Sequence, residues 1–456
     1  MNQTREEKLG TMPIPRLMLS LAIPSVVAQL INVLYNIVDR MYIGHIKDVG
    51  PTALTGVGLT FPIIMLISAF SAFIGAGGAP LAAIALGKRD KNRAEKILGN
   101  GVTVLIGFSM ILTVFFMIFK EPLLFMFGAS EQTIGYANSY ITIYLVGTIF
   151  VQLALGLNMF ISSQGQAKIA MLSTLIGAVI NIVLDPIFIF GLHMEVRGAA
   201  LATIISQACS AAWVVRFLLS EKSVVRIKLP MLRPDIHVIK NVMALGISPF
   251  IMQATESAIN IVLNRGLQSY GGDLYVGSMT ILQSVMQLFV IPIQGFTQGV
   301  QPIISFNFGA RKFDRVKKTY KLTIGLSFAV ATLCCIFAMT FPTLLGGIFT
   351  SDSELIALVG KVMPIFMSGI WMFGIQMGCQ TTFMGLGQAK ISLFLALLRK
   401  VFLLIPLAIV LPKFFGVIGI YYSEPISDIT AALTAAIIFL CVRNRIVSED
   451  ALKKLN

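Results

Sequence analysis

Gly-Gln-Ala-Lys-Ile stands at Gly165–Ile169 and again at Gly387–Ile391. Further matches flank it at a nearly constant shift. Leu21, Ile23, Gln29, Asn36, Ile37 and Val38 return as Leu245, Ile247, Gln253, Asn260, Ile261 and Val262. Gly87, Arg89, Arg93 and Lys96 return as Gly309, Arg311, Arg315 and Lys318, and Val196, Gly198, Ile205 and Ser206 as Val417, Gly419, Ile426 and Ser427. Consecutive identities inside such a frame mark an internal repeat. One design is written twice.

Polarity says what the design is. The 456 residues are 56% hydrophobic and only 12% charged, with a mean hydropathy of +0.85; soluble domains carry about twice that charged fraction. Apolar runs of roughly 20 residues, each long enough to cross a bilayer, predict twelve helices. They fall near 17–43, 53–87, 97–119, 134–160, 169–190, 198–219, 242–263, 276–308, 322–345, 357–384, 392–411 and 417–440. The second and eighth are long enough to end in a surface-lying turn. Six helices per repeat is an even number, so both repeats enter the membrane in the same orientation. The expected fold is therefore an all-α polytopic membrane protein of two parallel-repeat six-helix lobes. Its expected divisions are an N-terminal lobe at 1-219, a basic linker with Pro230 and Pro234 at 220-241, and a C-terminal lobe with a short tail at 242-456. Met1–Arg16 is polar and no small-residue cleavage site follows it, so no cleavable signal is expected.

A net charge of +14 raises the question of nucleic acid, and its placement answers it. With Met1 cytoplasmic, the segments Lys88–Lys96, Ser220–Asn241 and Gly309–Lys321 and both termini lie inside. They hold most of the basic residues, while the outer loops hold scattered ones such as Lys47, Lys120, Arg197 and Arg265. This is the positive-inside bias. It accounts for the charge without a nucleic-acid partner and predicts a multi-pass plasma-membrane protein with both termini cytoplasmic. The five cysteines show no paired spacing and read as small packing residues. His45, His193 and His237 are scattered over predicted loops and form no metal cluster.

The polar residues inside the apolar runs carry the chemistry. Asn181 and Asp185 are four apart and share one helical face; Pro186 removes one helical hydrogen bond and frees the Ile182 carbonyl. Asp39 lies about a turn from the outer end of the first predicted helix, and Thr203 about a turn inside the outer end of the sixth. Ionisable groups in lipid-spanning segments are expensive, so they are usually paired or functional. Two carboxylates, an amide oxygen and a hydroxyl at one depth suit a hard monovalent cation, and they suit a proton equally well. The plain alternative has Asp39 beside Arg40 and Asp185 before Pro186 merely closing helix ends. Four polar groups at matching depth argue against it.

The second lobe departs from the first, with Leu263 and Leu407 where Asp39 and Asp185 stand. It carries Glu256 instead, with Glu424 and Asp428 four apart in the twelfth helix and Arg399 and Lys400 deep in the eleventh. These residues fit either a second coupling site or a structural salt-bridge cluster. A substrate lining is sought on Phe61 and Met65 of the second helix, Met279, Gln283, Met286 and Gln287 of the eighth, and Met367, Trp371 and Gln376 of the tenth. Methionine is pliable and aromatic faces attract cations; ordinary lipid packing is the alternative. No HExxH, Asp-Asp-x-x-Asp or Gly-rich Lys-Ser/Thr loop occurs, and no Ser/His arrangement, so an enzyme is not expected.

The paired six-helix lobes, Pro24 in the first helix, the basic loop after each lobe's second helix and the doubled Gly-Gln-Ala-Lys together resemble the multidrug and toxic compound extrusion (MATE) family. The resemblance spans essentially the whole chain and points to its MepA-like bacterial branch. It implies secondary active antiport, in which Na+ or H+ entry drives export of small, amphipathic, mostly cationic compounds by alternating access of two lobes. It also implies a monomer, no cofactor beyond the coupling ion, and a part in antibiotic resistance. In some branches a helix 1 aspartate, a helix 5 Asn-x-x-x-Asp and a helix 6 threonine form the cation site; the matching residues are Asp39, Asn181, Asp185 and Thr203, which would hold Na+ if Na+ is the coupling ion. Other branches pair a helix 7 glutamate with a helix 10 aspartate; Glu256 matches the first, but Val362–Met384 contains no aspartate. Lipid-linked oligosaccharide flippases share the superfamily architecture, yet their pyrophosphate ligand favours basic residues, and predicted helices 2 and 8 carry none.

Overall fold

The computed structural model describes residues 5–47 and 49–453. Met1 and Asn456, the ends expected on the cytoplasmic side, lie outside the described residues. Every regular element among the described residues is helical. Ten helices are long and apolar enough to cross a membrane, and two bent pairs raise the number to twelve. In chain order these are α1 (Ile14–Gly44), α2 (Phe61–Gly87), α3 (Lys91–Met126), α4 (Ile134–Val146 with Thr148–Ser163), α5 (Ala167–Gly191) and α6 (Glu195–Leu219). The second set is α7 (Ile236–Gly271), α8 (Asp273–Gly309), α9 (Phe313–Thr340), α10 (Ser353–Met367 with Ile370–Gly385), α11 (Ala389–Phe415) and α12 (Val417–Ile446). The chain is a multi-pass membrane protein.

Departures from the sequence expectation have local causes. The second predicted segment is broken: Gly50–Gly58 forms a separate short helix, Pro62 opens α2, and Thr60 Oγ1 caps the Val57 carbonyl at 2.7 Å. The eighth was expected to end in a surface turn, but it runs unbroken through Pro292 and Pro302. Between those prolines, Gly295 and Gly299 let α8 press on α1: an added Cβ would meet Val26 Cα at 2.7 Å and Ala22 Cα at 2.6 Å. α4 bends by 59° at Gly147 and α10 by 41° at Ser368–Gly369. At each bend a hydroxyl takes over a carbonyl three residues back, Thr148 Oγ1 to Leu145 at 2.8 Å and Ser368 Oγ to Ile365 at 2.7 Å.

The repeat extends to backbone conformation. Gly165 (φ +76°) and Gly387 (φ +69°) open the two Gly-Gln-Ala-Lys turns in the left-handed region, which glycine enters without a steric penalty. Arg89 (φ 63°) and Arg311 (φ 58°) adopt it too, at equivalent places after α2 and α8. An Arg there costs about 1–2 kcal/mol.

The chain forms two compact units. The first comprises Met1–Leu9 and Val27–Phe250, the second Gly10–Val26 and Ile251–Asn456. The division falls inside α1 and inside α7, at positions related by the shift that maps Leu21 onto Leu245. Within the first unit, α7 begins against α2: a Cβ at Gly246 would overlap the Phe73 carbonyl, and one at Gly77 the Val242 carbonyl. The same unit holds the segment before α7. Gln164 Oε1 accepts the Val224 and Val225 N–H groups at 2.8 and 3.1 Å, Asn100 Oδ1 accepts the Asp235 N–H at 2.6 Å, and Lys228 reaches buried Glu95 at 2.6 Å. Within the second unit, Lys312 Nζ and a nitrogen of Arg315 donate to the Gly10 and Met12 carbonyls, both at 2.8 Å.

Candidate functional site

Three of the sequence-selected residues, Asp39, Asn181 and Asp185, gather in the first unit. Asp39 sits near the end of α1, and Asn181 and Asp185 occupy one face of α5. Pro186 follows, and the helix widens into a π-helical turn at Ile187–Gly191, the kind of local expansion a missing proline N–H permits. Asp185 and Asn181 are 0% exposed and Asp39 9%. Asn181 Nδ2 donates to Asp185 Oδ1 at 3.2 Å. The Asp39 and Asp185 carboxyls are neighbours.

No described cation pairs with either carboxyl. The guanidinium of Arg40, the neighbour that could have neutralised Asp39, lies instead over the Phe61 ring at 5.2 Å. Asp39 Oδ1, Asp185 Oδ2 and Asn181 Oδ1 are all buried and accept no hydrogen bond. Buried polar groups are nearly always satisfied, and a buried carboxylate without a counter-charge is more costly still. Two carboxyls and an amide oxygen grouped in this way are a donor set of the chemistry that suits Na+ or protons.

Thr203 lies two turns into α6, deeper than the sequence expectation, because α6 starts at Glu195. It lies near Tyr140 of α4, whose ring stacks on Tyr144 with centroids 6.4 Å apart. Sequence reasoning missed Tyr140, and also Tyr35, which feels the charge of both aspartates. Tyr35 is four residues before Asp39 on α1, so helical spacing could have found it. Tyr140 sits amid an apolar stretch and gives no such signal.

In the second unit, Arg399 Nε donates to Asp428 Oδ1 at 2.6 Å and Nη2 to Glu424 Oε1 at 3.2 Å, while Lys400 Nζ donates to Glu256 Oε2 at 2.5 Å. The five charged residues of the sequence analysis thus form one group. The residues selected as substrate lining divide. Met279 is 0% exposed, packed in the second unit's core with Leu263, Val359 and Met363, and so lines no surface; its stripe of α8 faces neighbouring helices. Met367 and Gln376 are also buried, and Gln283 donates to Asn260 at 2.9 Å. Met286 packs against the same core and Met65 is half-buried. Phe61, Gln287 and Trp371 are exposed.

Ten to twelve membrane-crossing helices among the described residues, with an acidic pair buried among them, are the frame of a membrane transporter. The MatE family model matches twice, at residues 24–187 and 249–410. The chain belongs to this family. It is similar to the multidrug export protein MepA of Staphylococcus aureus (strain MSSA476), 25% identical over 439 residues, 96% of each chain. MepA of Staphylococcus saprophyticus is 27% identical over 436 residues, 95% of each. Among solved structures, a MATE in the bent conformation is 26% identical with a TM-score of 0.89, covering 100% of this chain and 99% of that one. An outward-facing multidrug resistance MATE family transporter of the MOP superfamily is 25% identical with a TM-score of 0.87, covering 99% and 100%.

Proposed function

We propose that this chain exports drugs by cation-coupled antiport, with Asp39, Asn181, Asp185 and Thr203 as the coupling site and Na+ or H+ as the coupling ion. The observation that carries the reading is the acidic pair itself, two buried carboxyls close together, with three buried oxygens that have no described hydrogen-bond partner and no salt bridge to a described residue. Such a group is neutral only when it has taken up a cation or protons, so its occupancy can be tied to conformation. Entry of one positive charge down the membrane potential releases about 2.3 kcal/mol per 100 mV. Emptying and refilling the pair, by alternating access, would couple that energy to drug movement in the opposite direction.

The names of the MepA relatives support multidrug export, and exposed Trp371 offers an aromatic face of the kind that attracts amphipathic cations. We place the protein in a bacterial plasma membrane, as a monomer with both termini cytoplasmic; the basic segments before and after the helices support that orientation. Ethidium efflux from proteoliposomes under an imposed Na+ gradient or an imposed pH gradient tests the coupling. One gradient alone should drive transport, and Asp39→Asn should abolish it. Undiminished gradient-driven efflux by well-folded Asp39→Asn protein would sink the reading.

A further inference from the structure

Among the described residues, Leu229 is the most exposed large apolar side chain, at 84%. It belongs to none of the membrane-crossing helices. A single exposed leucine is ordinary; the place of this one is not. It opens the short 3-10 turn Leu229–Leu232, Leu-Pro-Met-Leu, between α6 and α7. Contacts within the first unit fix the depth of that turn against α3.

The flanks of the turn are tied to the charged start of α3. Lys228 Nζ reaches Glu95 at 2.6 Å, and Lys96 Nζ reaches Asp235 at 2.5 Å. The tip goes further in. Asn100 Nδ2 donates to the Met231 carbonyl at 3.4 Å and Thr103 Oγ1 to the Leu232 carbonyl at 2.7 Å, while a Cβ at Gly99 would overlap the Met231 carbonyl. Lys96 is the last charged residue of α3 before Lys120, and Thr103 lies roughly 10 Å beyond it along the helix axis. The turn therefore sits beside the apolar run of α3, where lipid replaces water and backbone carbonyls need donors from the protein. Asn100 and Thr103 supply them.

The two sides of the segment differ. Met231 and Leu232 are half-buried, whereas Leu229 and Pro230 are exposed. Ile236, where α7 begins, is 75% exposed. Arg233 and Lys240 are exposed too and form no salt bridge with a described residue. Pro230 and Pro234 each fix one backbone angle, which stiffens the tip. Apolar side chains roughly 5–10 Å into the headgroup–acyl boundary, with basic ones at headgroup level, are the means by which interfacial segments hold an anionic bilayer surface.

We infer that Leu229–Leu232 is a membrane-surface wedge: Leu229 and Pro230 enter the lipid leaflet, and Arg233 and Lys240 hold the phosphates of anionic phospholipids beside it. The wedge does not depend on the coupling assigned to Asp39 and Asp185.

Tryptophan quenching on the full-length protein in nanodiscs tests it. With Trp213→Phe and Trp371→Phe, Leu229→Trp leaves a single tryptophan, at the tip. In equimolar phosphatidylglycerol and phosphatidylcholine, acyl-chain bromination of the phosphatidylglycerol should remove most of its emission. Bromination of the phosphatidylcholine should remove less, and aqueous acrylamide very little. Lys222→Trp in the same background, exposed earlier in the segment, should show the reverse, open to acrylamide and insensitive to bromine. Pro230→Trp serves should Leu229→Trp not fold. Adding Arg233→Gln and Lys240→Gln should make the two brominated lipids equivalent. Acrylamide quenching at the tip as strong as at position 222 overturns the wedge. Equal quenching by the two lipids before those substitutions overturns the anionic headgroup site. Neither result alters ion-driven efflux, so this reading and the coupling reading fail separately.

Discussion

Asp39 and Asp185 are neighbours on two different helices and form no salt bridge with a described residue, whereas Glu424 and Asp428 share Arg399. Among the described residues the first unit's pair of carboxyls forms no salt bridge, whereas in the second unit one guanidinium bridges two of them. Two copies of one helical plan thus hold their acids in opposite ways.

The acidic pair should be separable from folding. Asp39→Asn and Asp185→Asn preserve shape and remove the charge, so each variant should fold with a Tm near wild type. Dye efflux from proteoliposomes should fall to the rate of empty liposomes. Initial rates at matched protein content check this.

Arg399 should matter for stability more than any surface charge. Arg399→Ala leaves two buried carboxylates without their partner, and breaking a buried pair costs about 3–5 kcal/mol. Thermal unfolding in detergent should show a large drop. Lys453→Ala, removing an exposed pair at 4.0 Å from Asp450, should change almost nothing.

The glycine contacts are a third test. At Gly299 a Cβ would meet Ala22 Cα at 2.6 Å, and at Gly246 it would overlap backbone. Gly299→Val and Gly246→Val should each cost about 1–3 kcal/mol through overpacking. Gly107→Val, where nothing lies within 4 Å of an added Cβ, serves as control. Detergent-solubilised melting curves distinguish them.

The segment before α7 should respond to acid. The Asp235 carboxyl is held below its ordinary value, first by the hydrogen bond from Lys96, at 2.5 Å, and then by the Val238 N–H. A folded value below the unfolded one means the contact is complete above about pH 4 and is lost as pH falls through the folded value. Proteolysis between residues 220 and 235 should therefore stay flat through neutral pH and rise only in acid. Gln164→Ala, which strips the acceptor from the Val224 and Val225 N–H groups, should raise cleavage already at neutral pH.

Composition and repetition determined much of this protein. Apolar runs of membrane length have one favourable fate, and the Gly-Gln-Ala-Lys repeat fixed the two-fold plan, because turn chemistry at Gly165 and Gly387 is local. The nearness of Asp39, Asn181 and Asp185 was legible, since helical spacing and helix depth are countable; the depth of Thr203 was not, because the sixth helix begins earlier than its apolar run. The tertiary structure alone decided where α4 and α10 bend, because hydropathy is continuous across Gly147 and Gly369 and only side-chain hydroxyls mark the break. It alone decided that Met279 is core and Trp371 surface, since in lipid both faces of a helix are apolar. Above all it decided that Arg40 turns to Phe61 and leaves Asp39 unpaired, a choice among partners that depends on distances in space and that residue order does not encode.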